Sequence, residues 1–295
     1  MFALMNTTIL SVALFAVAGS LIAPSVSTQT PEAPKLEFPA ASPAASFEQR
    51  VGLTDVSVKY SRPSAKGRKI FGGLVPFDSV WRTGANSATS ISFSTDVKFG
   101  GADVPEGTYS LHTIPGTSEW TVILNTVTQQ WGSYAYDEKS DIARVTVKAK
   151  ALHDSVESFT IAASNLGIAN ATLDLAWEKT LIQIPIETDV VKLLVPKIES
   201  AMAAEGKKPY LQSAMFYYEN GLDLKKALAW ADAAVAEQPD APWIIYRKGL
   251  ILAKLNDKAG ALAAATRALE LATKAGGSLG EEYTRLSKEL IERCK

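Results

Sequence analysis

Residues 171–186 read ATLDLAWEKTLIQIPI. Apolar side chains alternate with polar or small ones over 171–177, and isoleucines recur over 181–186. A period of two is what a strand with one buried face requires, because successive side chains point to opposite sides. Towards the N-terminus the signature recurs in VSVKY (56–60), TSISFST (89–95), TYSLHTI (108–114), WTVILN (120–125), ARVTVKA (143–149) and ESFTIAA (157–163). Turn-forming runs lie between: FGGADVPEG (99–107), PGTSE (115–119) and SNLGIAN (164–170). Glycine, proline and asparagine there permit the tight backbone paths that strands cannot take. No intervening window is long enough for crossover helices. Eight short strands without crossovers predict an antiparallel β-sandwich or open barrel.

Towards the C-terminus the period changes at Asp189. Alanine, leucine, lysine and glutamate take over, so an all-α helical-repeat domain is predicted to follow the strands. Two segments match at a spacing of 34 residues: Asp223, Ala227, Leu228, Ala231 and Ala234 align with Asp257, Ala261, Leu262, Ala265 and Ala268. Over about 208–273 this resembles the tetratricopeptide repeat family, with 278–293 as a capping helix. Each such repeat is a helical hairpin that needs small residues where its helices approach closely. A surface of this kind implies a protein partner.

The first 28 residues carry no charged side chain, and Ile9–Ala23 is almost wholly apolar. That run is shorter than the about 20 residues of a bilayer span and reads as a signal-peptide core. The domain plan is therefore a signal peptide over 1–28, a disordered linker over 29–46 containing Pro31, Pro34, Pro39 and Pro43, a β domain over 47–190 and a helical domain over 191–295. The expected destination is periplasmic or extracellular, with no stable membrane span after cleavage of the signal.

Composition excludes several functions. The formal net charge of -1 gives no reason to expect a nucleic-acid binder. One cysteine, Cys294, allows no internal disulfide, and two histidines, His112 and His153, allow no three-histidine zinc centre. No phosphate-cradling loop, dinucleotide fingerprint or nucleophile elbow occurs, so neither a cofactor nor a metal is expected.

The stretch that reads as more than scaffold is KYSRPSAKGRKIFGGLVPFDSVWRTGAN (59–86). It carries six cationic side chains, Lys59, Arg62, Lys66, Arg68, Lys69 and Arg82, against the single acid Asp78. A convergent set of Arg62, Arg82 and Lys66, assisted by Asn86, would hold a carboxylate, sulfate or phosphate, because arginine offers two parallel donors to an anion. If the cations point separately into water, the same residues make an ordinary solvated loop.

The motifs YSRP (60–63), KGR (66–68), IFG (70–72), VPF (75–77), VWRTGAN (80–86), PEGTYSL (105–111), EWTVI (119–123), QWG (130–132) and WE (177–178) together resemble the secreted family known as domain of unknown function 2911. The resemblance spans about 47–187 and implies an exported β-rich domain, commonly from bacteria with an outer membrane. It implies no activity. Arg62, Lys66, Arg82, Asn86 and Trp131 fall in its most distinctive motifs.

Two further residues bear on chemistry. His112 shares a strand face with Ser110 and Ile114, where it is either a sheet residue with satisfied hydrogen bonds or a lone base. Trp131, in QQWGSYAY with Tyr134 and Tyr136, suits the wall of a ligand groove. Asp78, Asp137, Glu138 and Asp141 are too scattered to name as a catalytic pair. The expected function is thus an exported binding module: a small anionic or glycan-like ligand on the β domain, a protein on the repeats. The alternative is a hydrolase or lyase that uses His112 and the basic loop.

Overall fold

The computed structural model describes Leu36 and residues 38–295. The expected signal peptide, and most of the expected linker, lie outside the described residues. Residues 40–295 form one compact unit. Nine strands come first: β1 (Ala44–Val51), β2 (Thr54–Ser61), β3 (Thr89–Phe93), β4 (Val97–Phe99), β5 (Ala102–Val104), β6 (Gly107–Ile114), β7 (Glu119–Asn125), β8 (Asp141–Ser164) and β9 (Asn170–Thr188). Six helices follow: α1 (Val190–Ala203), α2 (Tyr210–Glu219), α3 (Leu224–Glu237), α4 (Pro242–Lys254), α5 (Lys258–Ala275) and α6 (Gly277–Cys294).

The strands make one antiparallel sheet in the order β1-β2-β3-β6-β7-β8-β9-β4-β5. β8 is its spine. Residues up to Lys148 pair with β7, and residues from Ala149 onward pair with β9. The two halves share a single apolar core, to which Val58, Ile91 and Leu111 contribute from one side and Phe159, Leu175 and Ile184 from the other. Past β2, Phe159 N–H donates to Pro63 O at 2.9 Å and Ala65 N–H to Glu157 O at 2.7 Å. These bonds hold the halves together, but the sheet does not close into a barrel.

The decisive stretch 171–186 is one strand rather than two. Leu173, Leu175 and Trp177 are buried, and so are Ile182, Ile184 and Ile186. The buried parity switches from odd to even positions between them. At the switch Glu178 takes φ 53° and the register with β8 shifts. The register puts the surplus residues on β8, where 151–156 faces 178–180, and the irregular backbone at Glu178 exchanges the buried faces without ending the strand. The segments 143–149 and 157–163 likewise belong to the single strand β8, across two register shifts. Ala44–Ser46, expected in the linker, pair with Lys59–Ser61 as the start of β1. Backbone pairing orders them, and Ala45 also packs against the core. β5 is a three-residue strand inside the run 99–107 read as a turn, and the three-residue β4 ends at that run's first residue.

The helical part starts one residue after β9 ends. Asp223 and Asp257 cap α3 and α5, accepting from Lys225 and Lys226 N–H and from Gly260 N–H respectively. Ala227, Ala231 and Ala234 are buried on α3, as are Ala261, Ala265 and Ala268 on α5. The two parts meet at a tight point. A Cβ on Gly52, which has φ +58°, would lie 2.7 Å from both Thr188 Oγ1 and Val190 Cγ2. Among the described residues no helix is long and apolar enough to cross a membrane.

Candidate functional site: the covered outer face of the sheet

β6 is buried on both faces. Tyr109 and Leu111 belong to the core, whereas Ser110 and His112 face the other way and are nonetheless fully buried. The cover is the connection from β7 to β8, residues 126–140. Its backbone is tied down at three places. Ala88 N–H donates to Gln130 O at 2.9 Å, Gly132 N–H to Asn86 O at 3.0 Å, and Ser133 Oγ to Val80 O at 3.1 Å.

Beneath this cover lies a polar cluster. Asp141, whose side chain is 6% exposed, accepts from Tyr136 Oη at 2.6 Å, Arg144 Nη1 at 2.6 Å and Asn125 Nδ2 at 2.9 Å. Burial, reinforced by the hydrogen bond to Asp141, pushes the Tyr136 hydroxyl up to about 12. The bond to Asp141 also raises Arg144, so the guanidinium stays charged. The His112 ring lies 5.2 Å from that of Tyr136, centroid to centroid. Neither of its nitrogens has a protein partner. Burial pushes His112 down to about 4, against a weaker upward pull from Asp141, and the imidazole is neutral at pH 7.

Arg82 reaches the same face. Trp81 and Thr113 form an antiparallel bridge, with backbone bonds of 2.7 and 2.9 Å in the two directions. One step along each chain brings Arg82 opposite His112. Arg82 Nε is buried without a partner, and no carboxylate among the described residues pairs with this side chain. Gln130 is fixed from above: its Nε2 donates to Val127 O at 2.9 Å, and Ser110 Oγ donates to the same oxygen at 2.9 Å. Gln130 Oε1 is the third buried group on this face without a partner. Three side chains on this face thus keep buried polar atoms without a protein partner.

Gln130 also forms the wall of an open groove of about 480 Å³, with Lys59, Ser61, Ser87, Ser90 and Trp131 around it. The Trp131 side chain stands 68% exposed. Asn86, held at φ 60°, donates from Nδ2 to Ser61 Oγ at 3.2 Å and Ser42 O at 3.3 Å. Asn86 thereby positions the groove wall, and its carbonyl anchors the Trp131–Gly132 backbone.

The family-model comparison matches residues 42–186 to a family described as "Protein of unknown function (DUF2911)". Residues 42–186, the β-rich part, belong to that family. No curated protein and no solved structure matches the chain. The site residues of this DUF2911 protein therefore rest on their geometry. Of the sequence candidates, Arg82 and His112 each lie next to a residue of the Trp81–Thr113 bridge, Trp131 lines the neighbouring groove, and Asn86 bonds its wall residue Ser61.

Arg62 and Lys66 do not join them. Arg62 donates from Nε to Phe159 O at 3.0 Å and from Nη2 to Thr160 Oγ1 at 2.7 Å, which ties the end of β2 to β8. Lys66 is exposed, and it is its backbone N–H that bonds Glu157. Arg68 donates to Ala65 O and Ser64 O within its own loop. The basic stretch thus disperses its charge, and the anion site built jointly on Arg62 and Arg82 is not formed. Arg62→Ala is accordingly expected to lower stability by about 1–3 kcal/mol, the range for hydrogen bonds from a charged group. Urea unfolding of the variant beside the wild type measures this; a loss near zero would show that the two bonds contribute nothing.

Sequence reading missed Gln130, Ser110, Asn125, Asp141 and Arg144 as a group. The available signal was the parity of β6, which puts Ser110 and His112 on one face. Among the described residues no set of three His, Cys, Asp or Glu side chains gathers as a metal site would require.

Proposed function

We propose that this protein is an exported binding module that takes a glycan-like ligand in the groove beside Trp131 and a protein partner along its helices. The observation that carries the reading is the Trp131 side chain, 68% exposed at the wall of a groove lined by Lys59 and the Ser61, Ser87 and Ser90 hydroxyls. A free aromatic face next to hydroxyl and amide groups suits a sugar ring, whose apolar face stacks while its edge hydrogen-bonds. Export is supported by the uncharged apolar run ahead of the folded part. The mature chain is expected to start between about residues 19 and 30, which intact-mass measurement on envelope material reads directly.

The helical part supports a tetratricopeptide-like role. Its capping aspartates and buried alanines recur at the 34-residue spacing, and a groove of about 600 Å³ runs past Leu228, Val235, Ile245 and Leu252. Asp232 and Lys248 pair at its edge at 2.7 Å. Repeats of this kind present such grooves to peptide segments. The hydrolase or lyase alternative has less support, because His112 is fully buried and touches no nucleophile.

The direct test is binding to a panel of soluble oligosaccharides. Trp131→Ala is expected to weaken binding about tenfold, equivalent to about 1.4 kcal/mol, because an exposed stacking platform contributes affinity and little stability. The melting temperature should stay put. Absence of binding to any saccharide in the panel would remove the reading.

A further inference from the structure

We propose that two copies of this chain pair along β1, antiparallel, in the register that sets Glu48 of each copy opposite the partner's Arg50. The inference does not depend on the saccharide reading of the groove.

The first observation is an open edge. A strand at the end of a sheet offers unpaired N–H and C=O groups to another chain, and proteins commonly blunt such edges. The two edges of this sheet differ. β5 has three residues, and the Lys98–Asp103 pair joins it to β4 at 2.7 Å. β1 has eight residues and ladders on one side only, with β2. The direction of its free groups follows from its neighbour. Asp55 N–H donates to Ser94 Oγ at 2.8 Å, and Asp55 O accepts from Ser94 N–H at 3.1 Å, so Asp55 bonds away from β1. Arg50, directly opposite Asp55, therefore turns its own N–H and C=O away from β2. Arg50 O is met by the Gln49 side chain at 2.9 Å rather than by a strand. Alternation gives Ser46 and Glu48 the same outward backbone.

Charge then selects the register. Ser46, Glu48 and Arg50 are exposed on the outer face, whereas Phe47 and Val51 turn to the core. A one-residue slip would exchange the faces, so positions of like parity must meet. Setting Glu48 opposite its own copy, or Arg50 opposite its own, brings like charges together. Registers further out leave both charges unmatched. With Gln49 on a two-fold axis, Glu48 meets the partner's Arg50 and Arg50 meets the partner's Glu48. Both side chains are available. The neighbour of Glu48 across the ladder on β2 is the uncharged Ser57. Arg50 uses Nη1 on Asp55, at 2.7 and 2.8 Å, and keeps its other donors for a second carboxylate. On the core side the same register sets Phe47, half-buried in the single chain, opposite the partner's Val51. Charge and apolar matching thus agree on one alignment.

Sedimentation equilibrium of the mature chain over a wide range of concentration tests this. The dimer fraction is expected to rise with concentration. Glu48→Arg should weaken the dimer about tenfold or more, because cations then face each other at both charged positions, and Arg50→Glu should do the same with acids. Both side chains are exposed, and the Arg50–Asp55 pair that the second variant loses is a surface one, so circular dichroism and melting temperature should hardly move. Mixed in equal amounts, the two variants should regain the wild-type affinity, since every charge then meets its opposite across the axis. Gln49→Cys should yield a disulfide-linked dimer under mild oxidation, because the axial pair comes within bridging distance. The wild type, whose one cysteine Cys294 is buried, should not. A chain that stays monomeric throughout would overturn the proposal and leave the edge to a strand from another protein. A dimer that neither charge reversal weakens would overturn it as well, and so would variants that both weaken the dimer but do not restore it when mixed.

Discussion

Lowering the pH from 6.5 towards 4 is expected to cost this protein about 3 kcal/mol of stability through His112 alone. In the unfolded chain the imidazole takes up a proton near its ordinary value of 6.5, while the folded chain refuses it until about 4. Between those values the unfolded state binds more protons, so acid favours unfolding. The contribution is fully present above 6.5 and disappears as pH falls through the window to about 4. Burial explains the sign: taken out of water, the ring resists a positive charge. Asp141 favours one, but Tyr136, Arg144 and Asn125 already hold its oxygens. Urea unfolding at a series of pH values, wild type beside His112→Gln, isolates the term, because the remaining carboxylates titrate alike in both proteins. The wild-type curve should steepen between pH 6.5 and 4, and the variant's should be flatter. Parallel curves would show that His112 is hydrated or paired in solution.

Trp177→Ala is expected to cost about 3–5 kcal/mol, the range for removing a large aromatic side chain from a packed core. Trp177 is 2% exposed. It stacks on Trp81 with ring centroids 5.8 Å apart, and packs against Phe159 at 5.7 Å and Phe71 at 6.2 Å. These rings join both halves of the folded sheet, since Trp81 precedes β3 and Phe159 lies on β8. Truncation leaves a void bordered by rings that cannot all move to fill it. The hydrogen bond from Trp177 Nε1 to Glu157 O matters less, because Ala65 N–H also donates to that oxygen. The melting temperature should fall by about 10 °C or more. Far-UV circular dichroism is the appropriate signal, since removing a tryptophan alters fluorescence directly. Trp177→Phe should retain much of the loss. A cost below about 1 kcal/mol would mean that the core collapses around the gap and that the aromatic cluster is not what joins the two halves.

Much of the architecture was legible in the chain. Strands β2, β3, β6 and β7 lie where alternation put them; β2 and β3 bury every other residue, whereas β6 and β7 are covered on the second face as well. The change to helices at Asp189 was equally local, and Asp223 and Asp257, aligned at the 34-residue spacing, cap α3 and α5. A carboxylate immediately before an apolar helical run has few other uses. Trp131 stood out by composition, and it is exposed beside an open groove.

Other features needed the folded chain. ATLDLAW and LIQIPI look like two strands because their buried parities disagree. Irregular backbone at Glu178 reconciles them, and only the pairing partner β8 reveals it. Six cations in one short stretch suggested convergence, yet Arg62 turns to strand β8 while Arg82 comes to lie opposite His112, because neighbouring strand positions face opposite ways and the loop bends between them. His112 reads as half-exposed from its own strand; it is buried because a segment more than ten residues downstream folds back over the sheet. Local sequence determined which face each side chain of a strand would share. What covers that face, and which distant charge comes to rest beside it, is set by long-range pairing, whose partners no local window contains.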